Sequence, residues 1–323
     1  MRLKVFLLSF VLSLPFWWGA NVFEKELQSF FFYNEIGYNS DVLLAQVSLP
    51  IKTADRPLVR KKPGAENIEI EAKSAYSLLI TEKGEEQVLF KKNEEEKLPI
   101  ASLSKLMTAL VVLENYDLST RITISQAAVD QAEKLGKLKA GMKVPTGYLL
   151  YPLLMESSND AAYSLANDYP DMTKDVFVAL MNNASGRLNL TNTYFINNSG
   201  LDPKEPEYEI NYSTASDLAT LTRDLLNQPV IWEILATPSY NAFGPELYNT
   251  NELLSETNGW RDKIIGGKTG FTPKAGGCII LALKSPNNDN DVIINVILGA
   301  ESLEKRFLEM RKLINWIYDS YQW

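Results

Sequence analysis

A serine and a lysine three residues apart, Ser102 and Lys105, lie in the apolar stretch 100–113. Apolar residues recur there at helical spacing after Pro99, which predicts a helix with the serine on its first turn. Positions three apart share one face of a helix, so the lysine amine can reach the serine hydroxyl. A serine is a poor nucleophile until a base takes its proton, and an amine in a desolvated pocket can do so. Free N–H groups at the helix start can hold a developing oxyanion.

This spacing does not define a catalytic pair by itself, because Ser302 and Lys305 share it. Ser302 precedes the last amphipathic stretch of the chain, a position typical of a serine that caps a helix. Taken alone, Ser102 is explained equally well as a serine that caps a helix. Its assignment depends on the rest of the sequence.

Composition limits the chemistry that is available. The chain has 323 residues, 46% of them hydrophobic, so it can bury a large core in one or two domains. Its net charge of -8 argues against nucleic acid as the main partner. The absence of histidine excludes Ser-His-Asp and Cys-His catalysis and nearly all zinc sites. The single cysteine, Cys278, lies in an apolar run typical of a buried small side chain. Lysine is therefore the obvious base for a nucleophilic serine.

The N-terminal 23 residues are typical of an export signal, because Arg2 and Lys4 precede an uncharged run. That run is nearly long enough to span a bilayer, and its two tryptophans suit the membrane interface. We favour a retained membrane anchor over a cleaved signal, with the rest of the chain on the extracytoplasmic face, in the cell envelope. Residues 24–70 show no sustained period and are expected to form a stalk with little fixed structure.

The remainder of the chain changes from β to helical patterns and back to β. The strands predicted by alternation and by apolar runs lie near residues 75–80, 87–90, 268–272, 276–283 and 291–299. The predicted helices that come after the Ser102 stretch cover 125–135, 146–155, 160–166, 213–226 and 303–323. The last of these is expected to cover one face of the sheet.

Two further motifs join the first pair. Ser157 and Asn159 lie between two predicted helices, and Lys268-Thr269-Gly270 lies on a predicted strand. Ser-x-x-Lys, Ser-x-Asn and Lys-Thr-Gly in this order form the acyl-transfer set of penicillin-binding proteins and class A β-lactamases. Ser-x-x-Lys and Ser-x-Asn are weak alone, but the order and context of the motifs and the rarer Lys-Thr-Gly on a strand make the combination specific.

The similarity extends beyond these motifs to most of the chain after residue 72. The stretches IASLSKLMTA, LLYPLLMESSNDAAYSLA, TNTYFINNSGL, GGKTGFTPKAGG and RFLEMRKLINWIY resemble segments of the low-molecular-mass penicillin-binding proteins, the D-alanyl-D-alanine carboxypeptidases of serine peptidase family S11. The resemblance implies an α/β (α+β) class and the β-lactamase/penicillin-binding-protein transpeptidase-like fold, an antiparallel sheet flanked by helices plus a helical lobe. We therefore predict a catalytic domain over 71–323, with a sheet lobe at about 71–100 and 228–323 and a helical lobe at about 101–227.

The resemblance also implies roles for the first two motifs. Ser102 attacks the carbonyl of a terminal D-Ala-D-Ala bond, and Lys105 takes its proton. Ser157 relays a proton to the leaving D-alanine. Asn159 holds the substrate amide and Lys105.

For the third motif, the resemblance implies that Lys268 and Thr269 hold the C-terminal carboxylate of the substrate. Gly270 lets the strand edge approach the peptide, and the backbone N–H groups of Ser102 and Phe271 form the oxyanion hole. Physical chemistry agrees, because a cationic lysine suits a carboxylate and an exposed strand edge suits an extended peptide. A like charge nearby also helps to keep Lys105 neutral.

The implied function is removal of the terminal D-Ala from peptidoglycan stem pentapeptides, with β-lactams as covalent inhibitors and no metal or cofactor. An endopeptidase that cuts peptide cross-links is an alternative on the same fold, because loops set substrate length. A β-lactamase is less favoured, because no segment between the second and third motifs resembles the glutamate-bearing loop of class A enzymes. Glu207 and Asp217 are candidates only by default. A non-catalytic peptidoglycan-binding protein would leave the intact motif set idle.

Two departures from the family pattern concern the site itself. Ser158 stands where the carboxypeptidases usually have glycine, so its side chain is expected to crowd the cleft or to alter proton transfer. Ser199 stands where many relatives have histidine, and we interpret that histidine as structural. The sequence also ends at the closing helix, without the second domain of many relatives, which favours the N-terminal anchor as the membrane attachment.

Overall fold

The computed structural model describes residues 58–61, 68–131, 137–203, 209–241, 246–256 and 259–323. The predicted signal or anchor at 1–23, and most of the predicted stalk, lie outside these ranges. Within them, no helix combines the length and the apolar character needed to cross a bilayer.

The strands of the described residues are, in chain order, β1 (Ser74–Ile80), β2 (Glu86–Lys92), β3 (Leu98–Pro99), β4 (Arg121–Thr123), β5 (Lys143–Pro145), β6 (Tyr212–Ser213), β7 (Ser239–Tyr240), β8 (Leu247–Tyr248), β9 (Ile264–Thr272), β10 (Gly276–Lys284) and β11 (Val292–Ala300). The α-helices are α1 (Ser104–Asn115), α2 (Gln126–Val129), α3 (Leu150–Leu154), α4 (Asn159–Asn167), α5 (Lys174–Arg187), α6 (Ala215–Leu225), α7 (Pro229–Ala236) and α8 (Leu303–Ser320). Short 3₁₀ turns cover Ala101–Leu103, Thr146–Leu149, Glu252–Ser255 and Arg261–Lys263.

A five-stranded antiparallel sheet, in the order β2-β1-β11-β10-β9, carries a hydrophobic core. Strands β10 and β11 are nearly continuous runs of apolar residues, as expected for strands that are buried along most of their length. Helix α8 packs against one face of the sheet through Phe307, Met310 and Leu313. Helix α6 contacts β1 and β11, and helix α7 contacts β9. The predicted strands and the predicted covering helix are confirmed.

The helical lobe is built around α1, whose residues from Ser104 to Val112 are all buried. A helix that is buried all round needs neighbours on every side, and α3, α4 and α5 all contact it. Helix α6 differs from the prediction, which placed it in the helical lobe. Its apolar face, including Leu218, Leu221 and Leu225, is buried, and the helix contacts the sheet.

Two other predicted elements also differ. The helix expected over 125–135 is α2, which ends at Val129, and residues 132–136 lie outside the described ranges. The helix expected from residue 100 begins instead with the 3₁₀ turn Ala101–Leu103, and the α-helix starts only at Ser104. Ser102 therefore lies on a tight turn before the helix.

The described part of the predicted stalk, residues 58–61, contacts the end of the chain. The Lys61 N–H donates to the Ser320 carbonyl at 2.8 Å, and the Gln322 N–H donates to the Val59 carbonyl at 2.9 Å. This short segment has fixed hydrogen-bond partners, whereas the sequence suggested little fixed structure.

Candidate active site

The turn that carries Ser102 is held in a strained conformation. Ala101 has a φ of 47°, in the left-handed region that non-glycine residues rarely adopt. Its carbonyl accepts a hydrogen bond from the Ser104 hydroxyl at 2.9 Å, and the Asn211 amide donates to that hydroxyl at 2.9 Å. Ser102 remains partly exposed. Strain of this kind persists where the surroundings fix it, commonly at functional sites.

Two glycines allow neighbouring backbone to approach this turn. A Cβ atom at Gly200 would lie 1.9 Å from the Ala101 carbonyl oxygen, and one at Gly270 would lie 3.0 Å from the Ser102 nitrogen. Gly270 is on β9, one of the two edge strands of the sheet, and Phe271 is the next residue along it. Glycine at both positions lets β9 and the loop that contains Gly200 lie directly against the turn that carries Ser102.

Lys105 is fully buried and its amine faces three oxygen atoms. These are Ser102 Oγ at 2.8 Å, Asn159 Oδ1 at 2.9 Å and the Ser199 carbonyl oxygen at 2.7 Å. None of the three carries a negative charge. The Ser102 turn, the Ser-x-Asn motif and the loop 197–201 thus each place one oxygen atom beside the same amine.

Ser157 lies in the loop between α3 and α4, with a φ of 60°. Its Oγ accepts a hydrogen bond from Lys268 Nζ at 2.9 Å. The next residue, Ser158, is fully buried and caps α4, because its Oγ accepts from the Ala161 N–H at 3.0 Å. The Ser158 side chain is thus used as a buried helix cap, and its effect on proton transfer stays a prediction.

Lys268 is buried on β9, and its amine also donates to the Thr269 carbonyl at 2.8 Å. Burial holds the pKa of Lys268 well below its ordinary value, and repulsion by Lys105 and Arg306 lowers it further. Three basic groups thus surround this end of the cleft. A bound anion would offset this repulsion, because an opposite charge nearby favours the charged form of each base.

Two residues that no motif singled out support β9. Arg306, on α8, donates through Nη1 to the Gly270 carbonyl at 2.9 Å. Thr250 Oγ1 lies 2.7 Å from Thr269 Oγ1. Arg306 stands within a stretch that resembled the family, but an arginine on an amphipathic helix is ordinarily a surface residue. Nothing in the local sequence marked Thr250.

The residues judged structural or accidental have ordinary partners. Ser302 Oγ accepts from the Lys305 N–H at 3.2 Å, which confirms its predicted role as a helix cap. Cys278 is buried as predicted, and burial raises the pKa of its thiol to about 11. Asp217 accepts hydrogen bonds from the Asn192 N–H and the Thr193 hydroxyl. Glu207 lies outside the described residues.

The sheet, the helical lobe and the Ser-Lys site between them define the penicillin-binding-protein class of acyl-transfer fold. Residues 61–302 match the family Peptidase_S11, D-alanyl-D-alanine carboxypeptidase, and the chain belongs to this family of peptidases. The family predicted from the sequence is confirmed.

Individual relatives agree with this assignment. The chain is 32% identical over 250 residues to a D-alanyl-D-alanine endopeptidase of Pseudomonas aeruginosa, covering 75% of this chain and 76% of the relative. It is 28% identical over 274 residues to the D-alanyl-D-alanine carboxypeptidase DacF of Bacillus subtilis, covering 81% of this chain and 66% of the relative. The chain thus spans slightly less than two thirds of that Bacillus protein.

Solved structures confirm the predicted fold. A mutant of a Streptomyces DD-transpeptidase superposes with a TM-score of 0.69 and 27% identity, over 78% of this chain and 99% of that chain. Penicillin-binding protein D2 of Listeria monocytogenes, in its cefotaxime-bound form, superposes with a TM-score of 0.67 and 28% identity, over 79% and 100%.

Proposed function

We propose that this protein is a serine-type D-alanyl-D-alanine carboxypeptidase. It removes the terminal D-Ala from peptidoglycan stem pentapeptides through an acyl-enzyme on Ser102. The observation that carries the proposal is the surroundings of Lys105, whose buried amine lies 2.8 Å from Ser102 Oγ.

The neighbours of this amine fit a base. A neutral amine has two hydrogens and one lone pair. The Asn159 amide oxygen and the Ser199 carbonyl can only accept, so they take the two hydrogens. Lys105 Nζ also donates to Ser102 Oγ when the amine is charged. In the neutral form, Ser102 is the one neighbour of the three that can donate its hydrogen to the lone pair. In acylation the bond from Ser102 Oγ to the substrate carbonyl carbon forms as Lys105 takes the proton.

Breakdown of the tetrahedral intermediate requires a proton on the leaving amine. In the proposed mechanism, the Ser157 hydroxyl carries this proton from Lys105 to the leaving amine. Ser157 Oγ accepts a hydrogen bond from Lys268 at 2.9 Å. Ser157 passes a proton to the departing D-alanine nitrogen as the C–N bond breaks, and Lys105 resupplies it. Water then attacks the ester and frees Ser102.

The carboxylate of the departing D-alanine accounts for the buried Lys268. Burial and like charges lower the pKa of Lys268. A bound carboxylate reverses this effect, because an opposite charge nearby favours the ammonium form. Thr269 adds a hydroxyl donor, and the backbone N–H groups of Ser102 and Phe271 hold the oxyanion.

A DD-endopeptidase is the second candidate, since the Pseudomonas relative carries that name. The two activities share the acylation chemistry and differ in the leaving group, which is free D-alanine in one and a second stem peptide in the other. The test is to give the full-length protein a pentapeptide and a cross-linked peptide dimer in parallel. Our proposal predicts faster release of free D-alanine, whereas faster cleavage of the dimer would favour the endopeptidase.

β-Lactams are proposed as covalent inhibitors on Ser102, supported by the cefotaxime-bound form of the Listeria relative. A β-lactamase also needs a base that deacylates quickly. Asp217, one default candidate, is engaged by Asn192 and Thr193. A non-catalytic peptidoglycan-binding role would leave the Ser102–Lys105 contact without a use.

We also propose that residues 1–23 anchor the protein in the membrane, with the catalytic domain on its extracytoplasmic side. The uncharged run and the two preceding basic residues support this location. Resistance of the membrane-bound protein to an alkaline wash is the expected result. Release of a shortened chain into the medium would contradict it.

A further inference from the structure

The Asn211 side chain is buried and forms hydrogen bonds through both of its polar atoms. Its Oδ1 accepts from the backbone N–H groups of Ile196 and Asn197, at 2.7 and 3.1 Å. An oxygen that faces two backbone donors cannot be exchanged with the amide nitrogen, so the orientation of the side chain is fixed. The nitrogen therefore donates to Ser104 Oγ at 2.9 Å and to the Asn197 carbonyl at 2.8 Å.

The Ser104 hydroxyl, at the start of α1, is buried and has one hydrogen. Because the Asn211 amide nitrogen can only donate, the hydroxyl accepts there and directs its own hydrogen to the Ala101 carbonyl at 2.9 Å. The same carbonyl accepts the Ser104 N–H with its second lone pair. The three residues thus form a hydrogen-bonded chain with one direction, from Asn211 through Ser104 to Ala101. A hydroxyl that accepts one hydrogen bond becomes a stronger donor of the next.

The Ala101 carbonyl and the Ser102 N–H belong to the same peptide unit. This unit is planar and trans, so the two groups point in opposite directions, and fixing the carbonyl also fixes the N–H. The Ser102 nitrogen lies beside β9, because a Cβ at Gly270 would be 3.0 Å away from it. The chain from Asn211 therefore holds the Ser102 N–H pointing away from Ser104.

We infer that Ser104 and Asn211 are positioning residues that aim the Ser102 N–H at the carbonyl oxygen of the substrate. They act through the Ala101–Ser102 peptide unit and do not themselves touch the substrate. The inference rests on the proposed function, in which the N–H groups of Ser102 and Phe271 form the oxyanion hole. A donor there stabilises the developing charge only where its hydrogen meets the oxygen, so the direction of this N–H affects the rate of acylation.

The test is the infrared spectrum of the penicilloyl-enzyme, taken as the difference between protein acylated with benzylpenicillin and with benzylpenicillin isotope-labelled at the β-lactam carbonyl. Hydrogen bonds to a carbonyl oxygen weaken the C=O bond and lower its stretching frequency. In Ser104→Ala we expect the ester band to move to higher frequency and acylation to slow about tenfold, less than the loss of a whole oxyanion donor. Asn211→Ala should shift the band in the same direction, and Ser104→Thr, which retains the hydroxyl, should keep it in place.

Ser77→Ala is the matched control, because it breaks another buried serine–asparagine hydrogen bond, from the Ser77 hydroxyl to Asn295 Oδ1 at 2.8 Å. This bond joins β1 to β11, so the variant should lose stability without a change in the band or in the rate. An unchanged band in Ser104→Ala, or an equal shift in Ser77→Ala, would overturn the positioning role while an acylated wild type preserves the proposed function. A wild type that forms no penicilloyl adduct would overturn both.

Discussion

The two Ser-x-x-Lys pairs of this chain have the same spacing and opposite surroundings. Lys105 is buried and faces three uncharged oxygen atoms, one of them Ser102 Oγ. Lys305 is partly exposed and forms an ion pair with Glu71 at 3.1 Å, and this contact raises the pKa of Lys305. A lysine beside a carboxylate holds its proton and cannot act as a base. The environment of the amine, rather than the interval to the serine, decides which pair can do chemistry.

Among the lysine variants, the largest expected effect is at Lys105, the proposed base. Lys105→Met should lower the rate of acylation by benzylpenicillin about a thousandfold, in the range of general-base contributions. Lys305→Met removes a lysine at the same spacing and should leave the rate unchanged. Stopped-flow measurement of adduct formation compares them. Equal losses of acylation rate in the two variants would contradict the claim that only the Ser102–Lys105 pair is catalytic.

The second effect concerns Lys268, the other buried amine. Lys268→Met should lower kcat/KM for the pentapeptide about a hundredfold, because a charge-assisted hydrogen bond to the carboxylate contributes about 1.5–3 kcal/mol. Retention of wild-type kcat/KM would contradict the carboxylate role. Steady-state kinetics at a fixed pH measures this effect.

Stability should respond to pH in a defined direction at the same residue. The folded pKa of Lys268 lies below 10.5, so the unfolded chain binds more protons between the two values. The free energy of unfolding of the wild type, relative to Lys268→Met, should therefore rise with pH across that range. Denaturant titrations at several pH values measure the difference. A fall with rising pH would mean that the folded site stabilises the charged amine.

The third effect tests the packing against the nucleophile turn. Gly200 and Gly84 have nearly the same φ, 81° and 80°, but a Cβ at Gly84 meets nothing within 4 Å. Gly84→Ala should cost about 1–2 kcal/mol of stability for its backbone strain alone. Gly200→Ala adds a collision with Ala101 and should cost more and slow acylation. Similar losses of stability and unchanged acylation would show that the turn can shift freely.

The smallest effect is at the capping serine. Ser302→Ala should lower the free energy of unfolding by about 1 kcal/mol, the usual cost of a lost cap, with activity unchanged. Ser102→Ala should do the opposite, abolishing acylation with little effect on stability. Thermal unfolding and acylation assays on both variants compare the two serines.

Much of this arrangement could be predicted from the sequence, because the motifs lie on elements with strong local signals. The strands of residues 268–299 and the closing helix were clear from apolar periodicity. The order of the motifs indicated the family, which the comparisons confirm. The individual roles of the site residues remain predictions.

The contacts that the sequence did not indicate are non-local or use the main chain. The Ser199 carbonyl that holds Lys105 carries no side-chain signature. Thr250 and Arg306 reach β9 from segments distant along the chain. Ser158 was expected to affect the cleft because it replaces a glycine, and the sequence did not indicate that its hydroxyl caps α4.

The most direct test of the central claim, that Ser102 is the nucleophile activated by Lys105, is the intact mass of the full-length protein after incubation with benzylpenicillin. We predict one covalent adduct on the wild type and none on Ser102→Ala. An adduct on both proteins would place the nucleophile elsewhere. No adduct on the wild type, with the penicillin intact, would contradict acyl transfer at this site.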